Sequence, residues 1–238
     1  MAMILPSSQR GFRNYGWLKS YHSFSFGDYY NPLFRGYKNL RVINEDYVGP
    51  KGSFPMHDHA NMEILTYMLT GSLTHEDTLG HKKTIQAGDV QYLRAGRGIS
   101  HSETNESVTD TTHFLQIWLL PHRRDVEPTY EQITMPKNIN NQLTLIAAGF
   151  QAQATGVIQL NTDAKVYAGF LTLKHEITHT PDPYQDVWIQ VISGKLMVNG
   201  HIIETGGAIA FDAEQQLSIH ALETSHFLLF DLGSAGEI

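Results

Sequence analysis

The sequence predicts an all-β protein, two β-barrels in tandem joined by a short irregular or helical connector. Three observations carry this reading. Short runs rich in Ile, Leu, Val, Thr, Tyr and Phe recur along the chain, and glycine turns separate them, the punctuation expected of sandwiches and barrels. A proline-bearing stretch divides the chain near its middle. A strand–glycine–strand pattern appears once on each side of that division, as a duplicated unit would produce.

In chain order, the predicted strands of the first half are Asn39–Asn44, Met62–Thr70, Lys83–Gln86, Val90–Leu93 and His113–Leu119. Gly49-Pro50, Gly52, Gly71, Gly80, Gly88-Asp89 and Gly96 supply the turns. The stretch from Pro121 to Asn141 follows, carrying Pro121, Pro128 and Pro136, and its Val126–Ile133 portion has room for one or two helical turns. Strands resume at Leu143–Ala147, Val166–Leu173, Val187–Ile192, Leu196–Val198, Ala208–Phe211, Leu217–His220 and Phe227–Leu232. The predicted domains are therefore residues 1–135 and 136–238. The repeat pairs Tyr67–Leu73, ahead of Gly88-Asp89-Val90, with Gln190–Leu196, ahead of Gly206-Gly207-Ala208. The hairpin after Gly71 is the longer of the two.

Composition narrows the class of function. At 238 residues with 41% hydrophobic content, each half is long enough to bury its own core. The absence of cysteine excludes disulfides and thiolate metal sites. The first thirty residues lack the pattern of a signal peptide, and no apolar run approaches the ~20 residues that span a bilayer. The expectation is a soluble, cytoplasmic protein with no membrane partner. A net charge of −7, with scattered Lys and Arg, disfavours direct nucleic-acid binding.

Thirteen histidines is the unusual count, and histidine is the commonest metal ligand. His57-Asp58-His59 stands just ahead of a predicted strand, and His101-Ser102-Glu103 just after another. Residues i and i+2 of an extended segment share a face, with Cα atoms about 7 Å apart at ~3.3 Å rise per residue. If the two segments are neighbours, three imidazoles and a carboxylate surround one centre. Such a set suits Fe(II), Mn(II), Ni(II), Cu(II) or Zn(II). The remaining histidines, among them His22, His75, His81 and His113, read as structural or solvent-facing.

These residues carry a resemblance. The blocks GWLKSYHSFSFGDYYNP (Gly16–Pro32), LRVINED (Leu40–Asp46), HDHANMEILTYMLTG (His57–Gly71), GDVQYLRAGRGISHSE (Gly88–Glu103) and FLQIWLLP (Phe114–Pro121) resemble the pirin family of the cupin superfamily. GKLMVNG (Gly194–Gly200) and LLFDLG (Leu228–Gly233) resemble its C-terminal barrel more loosely. The resemblance implies a bicupin of two jelly-roll barrels. It also implies one iron, most simply Fe(II), in the N-terminal barrel on His57, His59, His101 and Glu103. Asp58 and Ala60 depart from the His-Pro-His-Arg usual in pirins. Glu63 stands near the usual cupin glutamate position, but the resemblance assigns the carboxylate to Glu103. With no His-x-His in the second half, that barrel is expected to be metal-free.

Bacterial pirin-like proteins are associated with cleavage of quercetin. The resemblance thus implies a metal-dependent dioxygenase acting with O2 on quercetin or a related flavonol or enol, with Glu103 taking the proton of the substrate hydroxyl. The alternative is a non-enzymatic, iron-dependent regulator that binds a protein partner. A third reading, a cupin isomerase or oxalate-type enzyme acting on a small acid, would favour arginines near the metal, and Arg94 and Arg97, which flank Gly96, are the candidates, although they read better as hydrogen-bonding loop residues.

Overall fold

The strands alternate between two burial patterns, and the patterns sort them into layers. Glu63–Thr70 and Asp186–Ser193 are buried almost throughout, as strands flanked on both sides must be. Ile99–Thr104 and Leu217–Ala221 alternate strictly, with one face inward and the other exposed or half-exposed. A computed structural model describes residues 2–137, 139–149, 155–212 and 216–234.

Two compact units result: residues 11–135 with 160–162, and residues 1–10 with 136–159 and 163–234. Each consists of a seven-stranded and a four-stranded sheet. In the first unit the larger sheet runs Thr129–Thr134, Asp89–Arg94, Glu63–Thr70, Thr112–Leu119, Leu40–Val48, Leu18–His22, Gly11–Asn14. The smaller runs Ser53–His59, Ile99–Thr104, Ser72–Asp77, Lys82–Gln86. In the second unit the larger sheet runs Ala2–Leu5, Ala208–Phe211, Asp186–Ser193, Ser225–Leu232, Ala164–Leu171, Gln142–Ala148, Ile158–Gln159, and the smaller Glu176–His179, Leu217–Ala221, Lys195–Val198, His201–Glu204. This is the double-sheet jelly-roll arrangement. The sheets remain open at their edges rather than closing into one hydrogen-bonded barrel.

Leu18, Val48, Met68, Leu73, Ile85 and Phe114 form one apolar cluster of the first unit. Ile64, Leu93, Ala95 and Ile99 form another. A larger cluster of the second unit includes Val187, Ile189, Leu196, Leu217, Ile219 and Phe227.

Three features differ from the sequence expectation. The connector is not helical where a turn or two had room. Thr129–Thr134 is an edge strand paired antiparallel with Asp89–Arg94, and its β-branched Thr129, Ile133 and Thr134 explain the choice. The first residues do not stay with the first half, because Ala2–Leu5 pairs with Ala208–Phe211 and belongs to the second unit. His57–His59 and His101–Glu103 lie within strands rather than beside them. The 3-10 turn at Ser7–Gln9 is the only helical element among the described residues, and none is long and apolar enough to cross a membrane.

The repeated glycines mark matching turns. Gly71 (φ +76°) links Glu63–Thr70 to Ser72–Asp77, and Gly194 (φ +87°) links Asp186–Ser193 to Lys195–Val198, in each case from the larger sheet to the smaller. A Cβ on Gly194 would lie 2.3 Å from the Thr224 carbonyl oxygen, whereas a Cβ on Gly200 (φ +82°) meets nothing within 4 Å. Gly200→Ala should therefore lose about 1–2 kcal/mol from left-handed strain alone, and Gly194→Ala clearly more. Urea unfolding midpoints check this, and equal losses for the two variants would show that the clash is relieved.

Candidate metal centre

The centre is built on one antiparallel strand pair in the first unit. Ile99–Thr104 lies against Ser53–His59 with His101 opposite His57 and Ile99 opposite His59. The register shifts between His101 and Glu103, so that Glu103 faces Phe54. Pro55 and Met56 sit at that shift. A proline has no N–H to give a ladder and is tolerated on an edge strand or at a bulge, and Ser53–His59 is an edge strand. On the other side of Ile99–Thr104, Asp77 faces His101 and His75 faces Glu103.

The sequence rule about shared faces holds. His57, His59 and His101 bring ligand nitrogens within 4.8 Å of one another, with ring centroids 4.5–4.9 Å apart. Donors of one ion bonded at ~2.0–2.2 Å are at most ~4.4 Å apart. A contraction of a few tenths of an ångström would complete the set. His57 Nδ1 donates to the Pro55 carbonyl at 2.8 Å, which leaves Nε2 for a ligand bond. Glu103 is not within that spacing of all three imidazoles, but shares it with His101 and His75. Its carboxylate faces the same cavity as His57 and His59.

Two buried atoms test whether a cation fits. His101 is 1% exposed and Glu103 2% exposed. Glu103 Oε2 accepts from Gln116 Nε2 at 3.1 Å, while Glu103 Oε1 and His101 Nε2 have no hydrogen-bond partner. Orphaned buried polar atoms are rare. A lone pair and a carboxylate oxygen left bare beside two further imidazoles form a donor set suited to a divalent cation.

The electrostatics agree. Burial, then the neighbouring His57, pulls His59 down to about 4. Burial, then repulsion from His57, His59 and His75, brings His101 down to about 2. Both imidazoles are therefore neutral at physiological pH, the form a metal needs. Glu103 moves the other way, up to about 7, because burial and the nearby Asp46 outweigh the Gln116 hydrogen bond. Asp46 is also raised to about 7, chiefly by burial.

The cavity beside these groups has a volume of about 130 Å³. Trp118, Phe26 and Phe54 form apolar walls, and Asn44, Asp46 and Gln116 add polar groups. The Trp118 ring meets His59 edge-on at 5.0 Å. Among the residues lining this cavity there is no arginine or lysine. Arg97 pairs with Glu127 at 2.6 Å and Arg94 donates to the Glu127 carbonyl, which removes the support for a small-acid substrate. Glu63 is buried away from the cavity, accepting from Tyr92 Oη and from the Asn161 backbone N–H.

Sequence reasoning missed His75, Asp77 and Asp46. His75 and Asp77 show the same two-residue spacing that singled out His57 and His59, so the signal was present. Asp46 carried none. In the second unit, Leu217, Ile219 and Ala221 occupy the inward positions of the strand corresponding to Ile99–Thr104. Among the described residues no group of three metal-ligating side chains converges there.

Comparison with known proteins settles the relationship. Residues 6–119 match the family described as Pirin, and residues 145–232 the Quercetinase C-terminal cupin domain. A quercetin 2,3-dioxygenase of Escherichia coli (strain K12) is 39% identical over 98% of this chain and 99% of its own length. The chain belongs to the pirin family. A pirin-like protein of Caulobacter vibrioides is 34% identical over 95% of this pirin and 97% of its own length. The crystal structure of the bacterial pirin YhhW in complex with nickel(II), from Escherichia coli, superposes with a TM-score of 0.93. It is 38% identical, over 98% of this chain and all of the other.

The raised Glu103 carboxyl has a measurable consequence in the metal-free pirin. Between about 4.5 and 7 the folded state holds a proton there that the unfolded state has released. Unfolding free energy contributed by this group therefore falls as pH rises through that window. Glu103→Gln removes the effect, so its stability relative to wild type should grow by up to about 3 kcal/mol from pH 4.5 to 7. Paired urea titrations at the two pH values read the difference, and a pH-independent difference would refute the buried-acid assignment.

Proposed function

We propose that this pirin is a metal-dependent dioxygenase of the quercetin 2,3-dioxygenase type, with the metal held by His57, His59, His101 and Glu103. The observation that carries the reading is a three-imidazole cluster, beside an orphaned buried carboxylate oxygen, opening on an aromatic-walled cavity. Fe(II) is the assigned metal by family resemblance, although the nitrogen and oxygen donors equally accept Ni(II), Mn(II), Cu(II) or Zn(II). The nickel(II) complex of the related bacterial pirin supports the binding of a divalent metal.

A bound metal supplies Lewis acidity toward an enolic oxygen. The protein's own contribution begins with size. A cavity of about 130 Å³ is close to the ~150 Å³ that holds one benzene ring. The interior thus takes the ring bearing the reactive hydroxyl, and the rest of a flavonol extends toward the mouth. Trp118 and Phe26 face that ring, and Gln116 holds Glu103 Oε2 still. Besides holding the metal, the Glu103 carboxylate is the base toward which the substrate's hydroxyl proton would move, on whichever oxygen the metal leaves open. Overall, flavonol and O2 would give the ring-opened ester and carbon monoxide.

Elemental analysis, an oxygen electrode and quercetin absorbance on one preparation test the reading. Wild type should hold about one metal per chain, and His59→Ala, which removes a ligand, should lose the metal and the quercetin-dependent O2 uptake together. Metal without uptake would move the weight to the alternative, an iron-dependent regulator that binds a protein partner. Failure to bind Fe(II) or Ni(II) at all would remove both.

A further inference from the structure

Ser72–Asp77 runs along Ile99–Thr104 on the side opposite His57 and His59, and it sets a histidine–aspartate pair behind His101. His75, with a fully buried side chain, places Nδ1 3.2 Å from His101 Nδ1. Its Nε2 lies 2.8 Å from Asp77 Oδ2. Asp77 meets three more N–H groups: the backbone of Leu79 at 2.9 Å, the backbone of His81 at 3.1 Å, and His81 Nδ1 at 3.0 Å.

The hydrogens follow by accounting. Four donors face two carboxylate oxygens, which is about the number of lone-pair sites an ionised carboxylate offers. Asp77 therefore only accepts, and the hydrogen on His75 sits on Nε2. The His75 side chain has no solvent exposure, and such burial disfavours a charged imidazole, so His75 Nδ1 is a bare acceptor. The nitrogen facing it, His101 Nδ1, must donate. A neutral imidazole has one ring hydrogen, so His101 Nε2 carries a lone pair, and that is the atom without a partner in the fold.

We propose that His75 and Asp77 are positioning residues that lock His101 in its Nδ1–H tautomer, directing a bare Nε2 toward the metal centre. The use of that lone pair rests on the proposed metal role of His101, but the tautomer itself does not. In the opposite tautomer the hydrogen on Nε2 would point into the centre and have to be displaced before a metal could bind.

The test uses full-length, 15N-labelled, metal-free protein, with the ring hydrogens read from long-range 1H–15N correlations. His101 is expected as the Nδ1–H tautomer in wild type. Asp77→Asn keeps an oxygen for the two backbone N–H groups and turns its NH2 toward the imidazoles. The chain of donors then reverses, and His101 becomes Nε2–H. Nickel(II) affinity, measured by competition, should fall by roughly 10–100-fold, the usual effect of losing such a partner. His75→Phe, which keeps volume and removes the acceptor, should lose affinity similarly and covers the case in which Asp77→Asn does not fold. His101 found as Nε2–H in wild type, or variants that bind nickel as wild type does, would overturn the inference. If wild type shows the Nδ1–H tautomer and Asp77→Asn reverses it, yet no nickel is taken up, the lock stands and the metal reading fails.

Discussion

The pairing of Ser53–His59 with Ile99–Thr104 is the constraint on which the centre depends. With His101 opposite His57, cross-strand neighbours lie within about 5 Å at Cβ, and no loop has to be ordered to bring them together. A slip of one residue would turn every side chain of the strand to the other face. His101 and Glu103 would leave the interior together, and Ile99 would leave the apolar cluster with Ile64 and Leu93. The register that buries Ile99 is thus the register that assembles the imidazoles, so core formation and site formation are one event.

That economy has an electrostatic cost. Burying His59 and His101 uncharged, beside carboxyls whose proton affinity burial has raised, leaves several polar atoms without conventional partners. A fold driven only by stability would replace them, and the second unit does. Leu217, Ile219 and Ala221 stand in the corresponding inward positions and join its apolar cluster. The two units share a sheet plan and differ in what fills it.

Much of this was legible in the residues because strands announce themselves by composition and glycine by position. Predicted Ala208–Phe211 matches the observed strand, and Val187–Ile192 and Phe227–Leu232 match to within one or two residues at an end. Glycine turns at Gly71 and Gly194 marked the repeat correctly. Thr129–Thr134 was obscured by Pro128 and by a stretch with room for a helical turn, and tertiary pairing with Asp89–Arg94 decided it. Ser53–His59 carries Pro55, which hides a strand from composition rules unless it lies at an edge. The convergence of His57, His59 and His101 followed from two-residue spacing. The pairing of His75 with Asp77 obeys the same spacing, yet its role depends on which strand lies behind His101, and that is a matter of sheet order. Ala2–Leu5 illustrates the limit most sharply, because nothing in four residues names a partner two hundred positions away.

That terminal strand bears on how the chain is made. Ala2–Leu5 leaves the ribosome about two hundred residues before Ala208–Phe211, its partner. Through most of synthesis the early strand has no edge to join. The first unit, residues 11–135, holds nearly all of its own sheet and can close while the rest is still being translated. Ala2–Leu5 thus waits for a partner made long after it, and a burden on that strand falls on the finishing of the second unit rather than the first.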